Sequence, residues 1–352
     1  MNEGRQQKII ANWLLVGVFM LVVQVLLGGI TRLTGSGLSI TEWDPIMGAL
    51  PPLNEAEWQK AFEGYKNIAQ FKYVNYNFTL ADFKLIFFWE WFHRLWARLM
   101  GFVFLIPFVW FLIKGYFKKW MILPLVMLFV LGGMQGLIGW IMVSTGIDTE
   151  NVYVTHFSLA THFMAAMVLI GYTYLFALSL RVPASQRVAS PGIRKLAFLI
   201  TIVLALQLVY GAFMAGLKAA SAAPTWPTIN GSLIPADLFK DGFSESALHN
   251  LITIQFIHRT LAYVLAALIV GWWFKARKVK HSPVFNRVKK WPLIMVVAQL
   301  LLGILTVLSS TDIVHGQFGI FEWFAEFHQL TGMMLLLSML AVLYVVKPVQ
   351  AA

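Results

Sequence analysis

Four histidines of this 352-residue chain, His93, His162, His258 and His328, each fall in a different long apolar stretch. The interval from His93 to His258 matches that from His162 to His328 to within one residue, which marks a duplicated unit carrying two histidines per copy. An imidazole in hydrocarbon is costly without a partner, and a facing pair of imidazoles is a usual way to hold a heme iron from both sides. His93 and His258 lie about eight residues into their stretches, roughly 12 Å below the outer edge at 1.5 Å per residue, and the other two lie at similar or slightly shallower depth. Equal depth is what two ligands of one iron need. A lone membrane histidine more often makes a helix-to-helix hydrogen bond, but four at matched positions predict axial ligands of two hemes.

The flanking residues differ between the halves. Glu90 and His93 are three apart and share a helix face, whereas the position equivalent to Glu90 in the second half is Gln255. Only the first site gains a titratable carboxylate beside its iron. A buried carboxylate near a reacting group can accept a proton, so the halves are expected to divide chemistry (first) from electron transfer (second). The structural alternative is that Glu90 only pairs with a nearby arginine. Arg94, Arg98 and Arg259 also stand inside spans and need anionic partners or a route to the interface. Heme propionates are one candidate partner; snorkelling, or pairing with Glu90, is the other. Glu326, two before His328, points away from it and is expected at the interface. His156, His249, His281 and His315 lie at span ends or in loops and are expected to be solvated or interfacial, with an outer metal site at His156, His249 or His315 as the alternative.

Membrane-spanning elements must position these groups. The chain is 59% hydrophobic and 12% charged, with mean hydropathy +0.72, far from a soluble domain. Eight apolar runs, at about 13–33, 85–113, 121–143, 157–180, 196–216, 250–274, 292–310 and 322–346, each suit a hydrocarbon core of about 30 Å. Basic residues cluster on one side: Arg5 and Lys8; Lys114, Lys118 and Lys119; Arg181, Arg187, Arg194 and Lys195; the run from Lys275 to Lys290; and Lys347. The opposite loops hold only Lys60, Lys66, Lys72, Lys218 and Lys240 well inside them. The positive-inside rule then places both termini in the cytoplasm. The net charge of +11 reads as this asymmetry plus contact with anionic lipid of the bilayer, not nucleic acid. The first apolar run is too long for a signal-peptide core and reads as an anchor. Cysteine is absent, which excludes disulfides, thiolate heme ligands and iron–sulfur clusters.

A second marker supports the repeat. Gln-x-x-x-Gly recurs on the odd-numbered spans as Gln24/Gly28, Gln135/Gly139, Gln207/Gly211 and Gln299/Gly303. Four spans per half make the halves parallel repeats, giving an all-α integral membrane protein of eight transmembrane helices in two tandem pseudo-symmetric four-helix bundles, 1–185 and 186–352. The glycine permits close helix approach and the amide bonds across the interface; the alternative is that glycine makes room for a flat macrocycle. The outer loops 34–84 and 217–248 are long and hold Gly35-Ser36-Gly37 and Trp226-Pro227 respectively. The Gly-x-Gly lacks a preceding strand and is a poor phosphate loop. Loops of this length are often functional.

The chain resembles the heme A synthases, specifically the cysteine-free bacterial kind related to the mitochondrial enzyme. The resemblance covers nearly the whole length. It is carried by the run from Gly28 through Thr31-Arg32-Leu33-Thr34-Gly35-Ser36-Gly37-Leu38-Ser39, by Pro51-Pro52-Leu53-Asn54, and by Asp82-Phe83-Lys84 leading into Glu90-Trp91-Phe92-His93-Arg94. Gly211 to Gly216, Thr225-Trp226-Pro227 and Gln255-Phe256-Ile257-His258-Arg259 complete it. The chain departs from the pattern at Lys218, Pro224 and Ser158. What the resemblance implies is an enzyme of the bacterial cytoplasmic membrane that oxidises a ring methyl of heme O to a formyl group by successive hydroxylations. It implies that His93 and His162 bind the substrate heme, that Glu90 is catalytic, and that His258 and His328 hold a heme b cofactor in the second half. Heme O synthase, as supplier of substrate, and the assembly pathway of cytochrome c oxidase are the implied partners. A two-heme membrane cytochrome b acting as electron carrier is the alternative, although it gains nothing from a carboxylate confined to one half.

Overall fold

The structure is a computed structural model that describes residues 3–42, 47–147, 150–279, 282–314 and 317–346. Trp43, Lys280, His281, His315 and Lys347 lie outside the described residues. Within them the regular elements are helical, apart from an isolated bridge between Ile229 and Ser232. In chain order the α-helices are α1 (Glu3–Leu33), α2 (Glu55–Lys66), α3 (Ala69–Tyr73), α4 (Leu80–Ile113), α5 (Lys119–Ile147) and α6 (His156–Arg181). They continue as α7 (Pro191–Gly216), α8 (Phe243–His249), α9 (Leu251–Ala276), α10 (Pro283–Val288), α11 (Trp291–Leu308) and α12 (Ile320–Val345).

Among these, α1, α4, α5, α6, α7, α9, α11 (taken with α10) and α12 are long and apolar enough to cross a bilayer. They coincide with the eight spans read from the sequence, and the chain is a multi-pass membrane protein. Helix α4 begins earlier than hydropathy alone indicates, because a polar cap extends it beyond the apolar run. For α4 the cap is Thr79: its backbone N–H donates to Asp82 Oδ2 at 2.8 Å, and Asp82 N–H donates back to Thr79 Oγ1 at 3.4 Å. The weakest predicted span is α11. It carries Pro292 in its first turn, where the missing N–H costs no hydrogen bond.

The chain forms two compact units. In the one that includes residues 170–313 and α12, α7 packs on α9 and α12, and α11 packs on the same two helices, closing a ring of four. Leu204, Ile254, Leu265, Ile269, Leu335 and Val342 fill its interior. Trp272 Nε1 donates to Ile193 O at 3.2 Å, tying α9 to α7.

The other unit, chiefly Phe19–Leu169, is held by contacts between successive spans. Trp96 Nε1 of α4 donates to Met20 O of α1 at 2.9 Å. Phe104 and Phe108 of α4 close edge-on against Phe129 of α5 at 4.6 and 5.1 Å between ring centres. The loop between α1 and α4 is ordered by helices of its own. Asn54 caps α2 by accepting from Glu57 N at 3.0 Å, which accounts for the Pro51-Pro52-Leu53-Asn54 motif as a helix start. Phe62 and Tyr65 of α2 then bury against Phe83 and Phe87 of α4, together with Leu38. Outward-facing apolar residues such as Phe102 and Ile106 on α4 and Leu123 and Leu137 on α5 remain exposed. A lipid-facing surface requires this, since the bilayer is itself apolar.

Candidate heme-binding sites

In the second half, α9 and α12 bring His258 and His328 together, with ring centres 6.3 Å apart and planes crossed at 73°. A metal-bound imidazole nitrogen sits about 2.0–2.1 Å from the metal and about 1.1 Å from its own ring centre, so two rings on opposite sides of one atom are spaced roughly 6.3 Å apart. The observed spacing is that of two axial ligands. Each ring also has Nδ1 buried without a hydrogen-bond partner, a costly state for a polar atom in a membrane interior unless it or its tautomeric neighbour meets a metal.

The helix before each histidine helix supplies its surroundings. A methyl group built on Gly211 would lie 3.4 Å from Cε1 of His258, and one on Gly303 only 2.9 Å from Cε1 of His328. The first half repeats this: 3.3 Å from Gly28 to His93 Nε2, and 2.9 Å from Gly139 to His162 Cε1. The glutamine one turn earlier donates across the same interface. Gln207 and Gln299 reach ring nitrogens of His258 and His328 at 3.4 and 3.3 Å. Gln24 bonds the His93 carbonyl at 3.3 Å, and Gln135 the His162 carbonyl at 3.0 Å. The Gln-x-x-x-Gly marker is therefore a close-approach and hydrogen-bond device, as its sequence reading favours, and its target is the histidine of the next span. These glycines leave room for the imidazole rings themselves, which fits rings placed to grip a flat macrocycle.

The two glycine classes predict different outcomes. Gly139→Ala and Gly303→Ala place a Cβ nearer a ring than real contacts allow, and overpacking of this kind costs about 1–3 kcal/mol. Gly28→Ala and Gly211→Ala need a shift of only a few tenths of an ångström. Heme retained per protein after purification should accordingly fall about tenfold or more in Gly303→Ala and little in Gly211→Ala. Equal retention in the two would show that the glycines do not protect the ring positions.

Glu90 is buried, with 2% of its surface exposed, and its carboxylate is fully engaged. Oε2 accepts from Ser39 Oγ at 2.7 Å and from Ile40 N–H at 2.9 Å, while Oε1 accepts from Arg94 Nη2 at 2.5 Å. Arg94 also donates to Ile40 O at 3.3 Å. Thus Glu90 does pair with an arginine, and it also fastens the loop that follows α1. Beside Arg94 is a cavity of about 190 Å³, lined among others by Ile40, Thr41, Trp140, Val143 and Ser144. Half-buried Arg98 stands one turn further along α4.

The second half uses the equivalent pair with reversed polarity. Gln255 Nε2 donates to the carbonyls of Ala219 at 2.6 Å and Ala220 at 3.3 Å. Arg259 donates to Gln255 Oε1, to Ala223 O at 3.0 Å, to Thr225 O at 2.9 Å and to Thr228 O at 3.2 Å. Both terminal nitrogens of Arg259 are committed to holding the 219–228 loop, which contains the cis peptide before Pro227. Lys218 opens that loop in a left-handed conformation at φ 52°.

Two sequence expectations change. Glu326 is buried with 1% exposed rather than interfacial, because α12 begins at Ile320 and carries it past the first turn into the packed interior. His156 is also buried, with its ring 4.1 Å from that of Phe157, instead of solvated. His249 is exposed as expected. Among the described residues no histidine–carboxylate cluster of metal-binding geometry occurs. The sequence reading missed the loop contacts of Glu90 and Gln255. The signal was present in Leu38-Ser39 within the outer-loop motif, but a distant backbone contact leaves no spacing to read.

The sequence matches the family described as cytochrome oxidase assembly protein (COX15-CtaA) over residues 11–340. It is similar to the heme A synthase of Rhodospirillum centenum, 41% identical over 304 residues that cover 86% of this chain and 81% of that protein. The heme A synthase of Novosphingobium aromaticivorans is 41% identical over 337 residues, covering 93% and 91% of the two chains. That of Flavobacterium psychrophilum is 37% identical over 338 residues, covering 94% and 96%.

Proposed function

The chain belongs to the heme A synthase family of cytochrome oxidase assembly proteins, and from that premise we propose how it oxidises a methyl group of heme O to the formyl group of heme A. The first half, residues 1–185, holds the substrate heme between His93 and His162, and the second half, 186–352, holds a heme b cofactor between His258 and His328. The two halves are pseudo-symmetric four-helix bundles. The observation that carries this division is the exchange of Glu90 for Gln255 at equivalent places, with the bonding partners reversed around them.

Conversion of methyl to alcohol and then to aldehyde removes two electrons with two protons at each oxidation, the electrons passing to an external acceptor and the oxygen atom entering from outside the protein. Glu90 is the catalytic base that accepts the protons. Its three donors, the Ser39 hydroxyl, the Ile40 N–H and the Arg94 guanidinium, aim it. Gln255 cannot accept a proton, and its side of the protein is left with positioning alone. Heme b, when bound by His258 and His328, supplies one-electron transfer. Arg94 and Arg98 face the carboxylates of the substrate heme. Arg259 serves the cofactor side by fixing the 223–228 loop on α9.

The protein sits in the bacterial cytoplasmic membrane with both termini in the cytoplasm and the heme sites toward the outer face, on the strength of the basic-residue asymmetry. Heme O synthase supplies the substrate, and the product goes to assembly of cytochrome c oxidase. The electron-carrier alternative draws no support from the relatives. Expression in cells that accumulate heme O should produce heme A, read by reversed-phase chromatography of extracted hemes. Heme O left unchanged in cells containing folded, heme-loaded protein would overturn the assignment.

A further inference from the structure

We propose that Ser39 is a positioning residue for Glu90, and that the Thr34–Ser39 turn exists to deliver it; this rests on the reading of Glu90 as proton acceptor. The turn is rigid from its first residue. Thr34 and Ser36 share a hydrogen bond at 2.6 Å between their hydroxyls, Ser36 N–H donates to Thr31 O at 2.8 Å, and Ser39 N–H donates to Ser36 O at 3.1 Å. Gly35 takes a positive φ of 68°, a conformation that other residues rarely adopt. Leu38 anchors the turn by packing so closely on α5 that a methyl on Gly146 would meet its side chain at 2.8 Å.

The result is that Ser39, 1% exposed, points its hydroxyl at Glu90 Oε2 from 2.7 Å. Its weaker second contact, Ile86 O at 3.4 Å, lies one helical turn before Glu90. The Gly-x-Gly that fails as a phosphate loop is thereby explained as a carboxylate cradle. The second half offers no hydroxyl at the corresponding contact; Gln255 meets alanine carbonyls there. The serine thus accompanies the carboxylate and is missing where the carboxylate is missing.

Few charged or titratable groups face Glu90. Arg94 comes from its own helix. Tyr65 of α2 is close enough to feel its charge, but burial pushes that phenol up to about 12, so it stays neutral through the working range. Glu42 lines the cavity beside Arg94 and is largely exposed. Ser39 is therefore the neutral donor whose removal changes the carboxylate most directly. Losing this hydrogen bond leaves Oε2 with the Ile40 N–H alone, so the carboxylate stretching band of Glu90 should move and the rate should fall.

The test uses the full-length, heme-loaded protein with Ser39→Ala and Ser39→Thr, each also combined with Glu90→Gln. Heme A formation is followed, and the infrared carboxylate stretching band of Glu90, identified by its loss in Glu90→Gln, is followed alongside. Ser39→Ala should shift the band and lower the rate, Ser39→Thr should restore both, and Ser39→Ala should add nothing in the Glu90→Gln background. A fall in rate with the band unmoved, or a further loss in the Glu90→Gln background, would overturn the proposal and leave Ser39 a loop residue. A moved band with Glu90→Gln still forming heme A at the parental rate would instead overturn the role given to Glu90.

Discussion

Replacing His258 or His328 by alanine should abolish the low-spin absorption of the purified protein, whereas His93→Ala and His162→Ala should leave it in place. The expectation rests on the 6.3 Å between the His258 and His328 ring centres and on the buried, partnerless nitrogen that each ring retains. A heme that His258 and His328 would hold from two helices would lose one of its two protein bonds when either ring is removed. The helices themselves should survive, because the ring of α7, α9, α11 and α12 is closed by apolar residues away from the histidines. Far-ultraviolet circular dichroism and elution as a single species check that point. Retention of the tightly bound heme signal in His258→Ala would mean that the second half does not hold the cofactor. Loss of the signal in all four variants alike would remove the distinction between the halves.

Much of this arrangement is legible from residue types alone. Long apolar runs cannot pack as anything but helices in a bilayer, so the eight spans follow from composition and length. The histidines are legible because an imidazole at that depth demands a partner, and the repeat shows which positions to compare. Gln207 and Gln299 are half legible: their spacing from Gly211 and Gly303 marks an interface, but nothing local says that the amide ends on a ring nitrogen. The depth of Glu326 was misread because i,i+2 spacing on a helix fixes direction relative to His328 without fixing which neighbour lies in that direction. The partners of Glu90 are hidden for another reason. Ser39 is 51 positions away, and the contact depends on a turn whose shape is set by Gly35 and by Leu38 seated on α5. The same limit hid the reversed polarity around Gln255, which is a property of backbone carbonyls and leaves no trace in side-chain identity.

That reversed polarity alters how Glu90→Gln must be judged. The repeat alone suggests that glutamine is tolerated at 90, since it occupies 255. The contacts show otherwise, because Gln255 faces carbonyl acceptors whereas Glu90 faces Ser39 Oγ, Ile40 N–H and the Arg94 guanidinium, all donors. A glutamine at 90 can turn its oxygen to Ser39 and Ile40, and its amide then meets Arg94 donor to donor. Breaking a buried ion pair from one side costs on the order of 3–5 kcal/mol when the partner stays charged, although Arg94 keeps its bond to Ile40 O and some solvent access. Glu90→Gln should therefore lower thermal stability of the first half as well as chemistry, while the heme b signal of the second half persists. Removal of a general base typically lowers the rate by ~10²–10⁴, so heme A should nearly vanish, with alcohol intermediate accumulating where a water partly substitutes. Arg94→Gln separates the two effects, because it breaks the same pair but leaves the carboxylate. If the base is what matters, Arg94→Gln protein that still carries its substrate heme loses stability comparably yet forms aldehyde. If Arg94→Gln with substrate heme bound reproduces the full loss of heme A with the same product pattern, the ion pair and its loop account for the phenotype, and Glu90 is a structural residue.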